Sequence, residues 1–224
     1  MGSGVQAFVF DAYGTLFDVH SVAGLAERLA PGHGAALSTL WRSKQLEYTW
    51  LGSLMEQRRD FAAVTEQALD YAIAALMLPL RGEPRAQLVE AWLDLKPYPD
   101  TIATLARLAP RPRWILSNGT RAMLDPLLER SGVGAHLDGV LSVDEAGVYK
   151  PSPRVYALAT TQLALAPPQI GFVSANCWDA IGAKAYGFYV WWINRAGVPT
   201  DRHGPAPDSV IGELSEVDSE TASR

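Results

Sequence analysis

Residues Val5 to Phe10 form an almost unbroken apolar run, rich in β-branched and aromatic types, that stops abruptly at the carboxylate of Asp11. Such a run reads as a strand buried on both faces of a parallel sheet. The residues that follow, Ala12, Tyr13 and Gly14, turn the backbone away and leave amide N–H groups around the acid. In an open α/β sheet, ligands bind at the carboxyl edge of the strands. A lone strand-end aspartate has a plainer use as the cap of a following turn or helix. The rest of the chain must decide between these uses.

Directly behind this strand, residues 21 to 95 carry helical patterns with no strand between them. Ser21 is placed to cap a helix running to about Leu29, and Pro31-Gly-His-Gly34 breaks the pattern. Ala35 to Met55 has helical spacing in Leu37, Leu40/Trp41, Tyr48, Leu51 and Met55, and further helices are expected near 59–77 and 84–93. Strand–helix alternation resumes after Lys96-Pro-Tyr-Pro-Asp100. Strands are expected at Trp114–Leu116, Gly139–Ser142, Ile170–Val173 and Phe188–Ile193, with helices at Thr101–Leu108, Thr120–Arg130, Ser152–Leu163 and Cys177–Tyr186. Alternating βα units imply an α/β fold, a parallel Rossmann-like sheet in three layers. The expected division is a catalytic core of residues 1–16 and 97–224, with an inserted helical cap of residues 17–96 over the carboxyl edge. The acidic tail beyond Glu213 is expected to fray.

At 224 residues the chain can bury a sizeable core, and 48% hydrophobic content with seven Trp describes a folded globular protein. A net charge of −5 argues against nucleic acid or an anionic membrane as partner. The single cysteine, Cys177, excludes an internal disulfide and fits a reducing, cytoplasmic setting. The longest wholly apolar run, Ala72 to Leu80, is nine residues and contains a proline, well short of a bilayer span. Met1-Gly-Ser-Gly4 lacks the charged region of a signal peptide, and because it precedes a strand it is in the wrong context for a dinucleotide-binding loop.

Four strand ends carry the polar residues that matter: Asp11; Ser117-Asn118-Gly119-Thr120; Lys150-Pro151; and Ser174-Ala-Asn176-Cys-Trp-Asp179. Parallel strands gather such ends in space. Phe-Asp-x-x-Gly-Thr-Leu, a strand ending in Ser-Asn-Gly, a Lys-Pro pair and an Asp-bearing fourth loop together resemble the haloacid dehalogenase superfamily over essentially the full length. The resemblance implies that the first Asp is a nucleophile forming a covalent ester. Most members of that superfamily are magnesium-dependent phosphohydrolases with a second Asp two places after the nucleophile and a fourth loop beginning Gly-Asp. This chain has Tyr13 and Ser174-Ala175 there, so the carboxylates that a hard cation and an alkoxide leaving group require are missing. A halide departs as a stable anion without a proton.

The first and fourth loops, taken with Trp-Arg-Ser-Lys-Gln-Leu-Glu-Tyr-Thr-Trp-Leu at residues 41–51, are similar to the L-2-haloacid dehalogenases in particular. That similarity implies that Asp11 attacks C2 of an L-2-haloalkanoate and inverts it. Arg42 and Asn118 would hold the departing halide, with Trp178 along the same wall. Ser117 and the amides near Ala12 and Tyr13 would grip the substrate carboxylate. Lys150 would compensate the charge of Asp11 and Asp179, supported by Tyr156, and Thr15 would orient Asp11. Ser174, Asn176 and Asp179 would position and deprotonate the water that releases a D-2-hydroxy acid. Leu46 and Phe61, with Trp41 and Trp50, would line an apolar pocket for the alkyl group or form the core of the cap. No cofactor and no metal are implied, and a homodimer is.

Several of these residues also have plainer roles. Arg42, Leu46 and Trp50 are four apart and share a helix face, so the guanidinium is either buried against an anion or snorkels to water. Lys150 could be a solvated lysine at a helix start, and Asp179 a first-turn acid favoured by the helix dipole. Cys177 lacks a neighbouring His and is expected to be a small buried residue. The four scattered histidines, His20, His33, His136 and His203, are expected to be solvated, and the Trp191-Trp192 pair to serve packing. The expected enzyme is a metal-independent hydrolase of L-2-haloacids. The alternatives are the same ester chemistry on another electrophilic carbon, a magnesium phosphatase, or a silent binding protein.

Overall fold

The structure is a computed structural model that describes residues 4–217. A six-stranded, wholly parallel sheet is built from β1 (Ala7–Phe10), β2 (Arg113–Ser117), β3 (Gly139–Ser142), β4 (Ile170–Ser174), β5 (Tyr189–Ile193) and β6 (Ser209–Ile211). The spatial order is β3-β2-β1-β4-β5-β6. This is the doubly wound order, whose connections reverse direction between β1 and β4 and open a crevice there. Among the described residues eight α-helices accompany the sheet: α1 (Val22–Leu29), α2 (Gly34–Leu54), α3 (Phe61–Ala75), α4 (Glu83–Glu90), α5 (Thr101–Arg107), α6 (Arg121–Ser131), α7 (Pro153–Leu163) and α8 (Cys177–Tyr186). The α/β class expected from the alternating pattern is therefore the observed one.

The chain forms two compact units. The first comprises the residues up to Phe17, Pro97–Asn118 and the chain from Gly132 onward, and it holds the whole sheet. All four residues of β1 are buried, as a central parallel strand requires. Phe10 lies in register with Ile115 on one side and Val173 on the other, and the Asp11 amide donates to the Val173 carbonyl at 3.0 Å. Register therefore fixes the height of Asp11 against the end of β4. Side chains above and below the sheet leave little spare room. A Cβ at Gly171 would lie 2.7 Å from the Trp191 ring and 2.9 Å from a Val5 methyl.

The second unit comprises Asp18–Lys96 and Gly119–Ser131, so it contains α1 to α4 together with α6. The sequence boundary at 16/17 and 96/97 differs from this division by one residue at its first edge. Residues 119–131, expected with the sheet, associate instead with the helices. Aromatic residues make the interior of this unit. Trp41 meets Trp92 edge-on at 5.6 Å between ring centroids, Phe61 meets the same ring at 6.4 Å, and the Trp41 indole N–H donates to the Thr65 carbonyl at 2.8 Å. Asp60 caps α3 by accepting from the Ala63 amide. No helix among the described residues is long and apolar enough to cross a membrane.

Several local expectations need correction. Ser21 does not cap α1 with its side chain: its hydroxyl donates to the Asp18 carbonyl, and Asp18 is the residue that accepts from a backbone amide, that of His20. The segment after Glu213 is not simply frayed, because Leu214–Glu216 forms a 3-10 turn and both Leu214 and Val217 are fully buried. The remainder of that tail lies outside the described residues. Cys177 is half-exposed instead of buried, and of the four histidines His136 is half-buried while the other three are exposed.

The crowding at Gly171 yields a stability prediction. Gly171→Ala forces the Trp191 ring or Val5 to move, and overpacking of a core costs about 1–3 kcal/mol. Urea denaturation should show a lower midpoint at unchanged slope.

Candidate active site

The polar residues of the first unit converge where β1 and β4 run out. Asp11 leaves β1 into a tight loop in which the amides of Thr15, Leu16 and Phe17 all point at the Ala12 carbonyl, at 3.3, 3.0 and 3.0 Å. Gly14 lies at φ +88°, a left-handed conformation that a residue with a Cβ adopts only with strain. This turn brings Thr15 back beneath the acid. Its hydroxyl donates to Asp11 Oδ2 at 3.1 Å and itself accepts from the Ala175 amide at 2.8 Å, so the hydroxyl proton has a fixed direction. Asn176 Nδ2 donates to the same oxygen at 2.7 Å and to the Tyr13 carbonyl at 3.1 Å. Oδ1 receives Lys150 Nζ at 3.2 Å. Three donors therefore hold a nearly buried carboxylate in one orientation.

Lys150 is fully buried, which removes the solvated-lysine reading. Its ammonium bridges two acids, donating also to Asp179 Oδ2 at 2.8 Å, and lies 5.0 Å from the Phe172 ring centroid. Asp179 is likewise fully buried. It accepts from Tyr156 Oη at 2.8 Å and from Ser174 Oγ at 3.1 Å, and the Asn176 amide in turn donates to Ser174 Oγ. One cation thus faces two anions in a buried setting. Burial pushes Asp179 up to about 6, the Lys150 charge opposes that rise, and the Asp11 charge reinforces it. For Lys150 burial works the other way, toward the neutral amine, but the two carboxylates prevail and its affinity for the proton is raised. Burial beside Asp179 also raises the Tyr156 phenol well above its ordinary range, so it stays a donor.

Ser117 and Asn118 sit at the end of β2, both buried, and Asn118 Oδ1 accepts from the Lys150 amide at 3.2 Å. Ala12 and Tyr13 are buried in the first loop. Trp178 lines a groove with Pro151, Pro153, Ile181 and Tyr186. The structure therefore brings together Asp11, Thr15, Lys150, Tyr156, Ser174, Asn176 and Asp179 in one hydrogen-bonded cluster, with Asn118 tied to it through the Lys150 backbone. Arg42, Leu46 and Phe61 belong to the second unit. There Arg42 is half-buried and donates to Gln45 Oε1 at 2.6 Å, with its guanidinium 6.0 Å from the Trp92 ring centroid; Leu46 is half-buried and Phe61 fully buried.

Two features of the cluster escaped the sequence. Trp192 does more than fill space, since its indole N–H donates to the Ala175 carbonyl at 3.3 Å and steadies the fourth loop. Arg195, just past β5, donates to the carbonyls of Gly14 and Thr15. The rule that singled out the other strand ends applied equally to Asn194-Arg195. Burial pushes the Cys177 thiol up, the opposite of what a nucleophilic thiol needs.

The profile of the haloacid dehalogenase-like hydrolases matches residues 5–187. This chain belongs to that family. An (S)-2-haloacid dehalogenase of Pseudomonas putida is 43% identical over 215 residues, covering 95% of this chain and 96% of that protein. The solved structure of an L-2-haloacid dehalogenase superposes with a TM-score of 0.95 at 41% identity, over 99% of this chain and 100% of that one. The L-2-haloacid dehalogenase of Xanthobacter autotrophicus with chloropropionic acid covalently bound has a TM-score of 0.89 at 40% identity, covering 95% and 96%. Within this hydrolase family the strand-end carboxylate and its three donors form the candidate reactive centre.

The Tyr156 contact allows a direct check of the charge balance. Its hydrogen bond favours ionised Asp179, so Tyr156→Phe should move that carboxyl to a value above about 6. Infrared titration with labelled aspartate should show the protonated carbonyl band persisting to higher pH in the variant.

Proposed function

We propose that this hydrolase converts L-2-haloacids to D-2-hydroxy acids through an ester on Asp11. The observation that carries the reading is the Asp11 carboxylate, held by Lys150, Thr15 and Asn176 at 3.2, 3.1 and 2.7 Å, in a site where Tyr13 and Ala175 stand in place of further acids. One Asp11 oxygen attacks C2 from the side opposite the halogen. The C–O bond forms as the C–halogen bond breaks, the halide leaves with the bonding pair, and the configuration inverts. No proton is needed for that departure. A water deprotonated by Asp179 then adds to the Asp11 carbonyl carbon; the ester C–O bond breaks, the proton held by Asp179 passes to the departing alkoxide oxygen, and Asp11 loses the water's second proton to return as a carboxylate. The net products are halide, hydroxy acid and one proton.

The charge arrangement favours both halves. Ester formation removes the Asp11 charge and leaves Lys150 paired with Asp179 alone, which relieves the excess negative charge. It also removes one of the influences that raise Asp179, so the base is ionised through the water step at a pH below its value in the free enzyme. Ser174 and Asn176 hold the base and the nucleophile in register. With Asn118 Oδ1 committed to the Lys150 amide, its Nδ2 is the end offered to the halide, beside the Trp178 wall. Ser117 and the amides near Ala12 and Tyr13 take the substrate carboxylate. We read the second unit as a cap.

The relatives named (S)-2-haloacid dehalogenase support the substrate class, and the covalent chloropropionic acid adduct in the Xanthobacter relative supports the ester. Magnesium phosphatase chemistry is disfavoured by the donor set, because Tyr13 and Ala175 stand where a hard cation and an alkoxide leaving group would need further carboxylates. Exposed apolar residues on the second unit, Leu54 and Met55, support a homodimer, and the single cysteine a cytoplasmic setting.

Purified protein should release chloride from L-2-chloropropionate in the presence of EDTA and leave the D-enantiomer unchanged; phosphate release abolished by EDTA would overturn the reading. Asp11→Asn should lose turnover by several orders of magnitude. After a single turnover in heavy-oxygen water, mass spectrometry should find the label in Asp11, whereas label passing only into the product would refute the ester.

A further inference from the structure

We propose that Arg195 is a positioning residue for the nucleophile, acting on Asp11 through the backbone of the first loop; this rests on the proposed function above. Arg195 follows β5, two strands away from β1, yet its guanidinium reaches that loop. Nη1 donates to the Gly14 carbonyl at 3.0 Å and Nη2 to the Thr15 carbonyl at 3.1 Å. The plane of the guanidinium is covered by the Tyr98 ring, with Cζ 3.6 Å from the ring centroid. Tyr98 is itself fixed to the loop, since its amide donates to the Leu16 carbonyl at 2.9 Å. The cation is thus clamped on its face by an aromatic ring and on its edge by two consecutive carbonyls. A fork of this shape is particular to arginine, because a lysine offers a single point charge.

The consequence for chemistry follows from what the two carbonyls carry. Gly14 supplies the left-handed residue of the turn, and Thr15 supplies the hydroxyl that orients Asp11 Oδ2. On its inner side the turn is closed by three amides converging on the Ala12 carbonyl; on its outer side Arg195 takes the carbonyls of Gly14 and Thr15. With the outer bonds gone, the peptide after Gly14 can rotate and the Thr15 hydroxyl loses its fixed aim. In-line attack demands an oxygen about 3–3.5 Å from carbon and well aligned, and a misplacement of about 1 Å costs about 100-fold. Arg195 touches neither substrate nor the reacting oxygen, so its loss should slow attack and leave substrate binding nearly intact.

The test compares the parent enzyme with Arg195→Met and Arg195→Lys. Halide release from L-2-chloropropionate gives kcat and KM, and hydrogen exchange followed by mass spectrometry reports the amides of residues 11–17. Arg195→Met should lower kcat by about 10- to 100-fold with KM within about 3-fold, and exchange in that peptide should quicken. Arg195→Lys should fall between it and the parent. The proposal is overturned if folded Arg195→Met keeps kcat within about 3-fold of the parent, or if kcat falls while exchange in 11–17 is unchanged. Should Arg195→Met fail to fold, Arg195→Lys decides alone: reduced kcat at constant KM supports the role, and parental kcat refutes it. A parent enzyme that releases no halide would sink the proposed function instead, and the exchange comparison would still report whether Arg195 restrains the loop.

Discussion

A single buried ammonium shared between two carboxylates sets the terms for everything around it. Lys150, Asp11 and Asp179 together carry one negative charge more than they can neutralise, in a largely buried setting. Such an arrangement survives only where further donors surround the anions. The phenol of Tyr156 and the hydroxyl of Ser174 supply them for Asp179, and Thr15 and Asn176 supply them for Asp11. Truncating the lysine would leave two unpaired acids and cost on the order of 3–5 kcal/mol. The same imbalance gives the proposed chemistry its direction, since the ester is the state in which cation and anions are matched one to one.

The sheet makes that cluster possible by geometry alone. Side by side and parallel, β1 and β4 end at the same height, so the first and fourth loops face each other across the switch point. Links between these loops then lock their relative positions: the Ala175 amide to the Thr15 hydroxyl, and Asn176 to both Asp11 and the Tyr13 carbonyl. Trp192 adds a further tie from β5. Precision at the nucleophile is therefore a property of the sheet's central strands, transmitted through loops that have little freedom left.

Much of this was readable in the chain because parallel strands obey a simple rule: apolar runs that end in polar residues end at the same edge. Asp11, Lys150 and Ser174–Asp179 were found that way, and five of the six strands with them. β6 was not, since Ser209–Ile211 is three residues long, partly exposed, and preceded by a proline-rich stretch with no apolar run to mark it. Arg195 stands at such a strand end too, but its partners are backbone carbonyls, so no complementary side chain in the sequence marked it. The grouping of residues 119–131 with the helical unit was also hidden, because sequence order places α6 between two strands and says nothing about where its apolar face goes. Arg42 is different: helical spacing places it beside apolar neighbours, but spacing does not name its partners, and the hydrogen bond to Gln45, three residues on, was not expected from it.

The partners of Asp11 are spread very unevenly along the chain. Thr15 is four residues away, Lys150 is 139 and Asn176 is 165. Synthesis therefore makes the acid 165 residues before the amide that aims it. A shortened product ending before the fourth strand would carry the attacking group yet lack both the amide that aligns it and the second acid of its ion cluster.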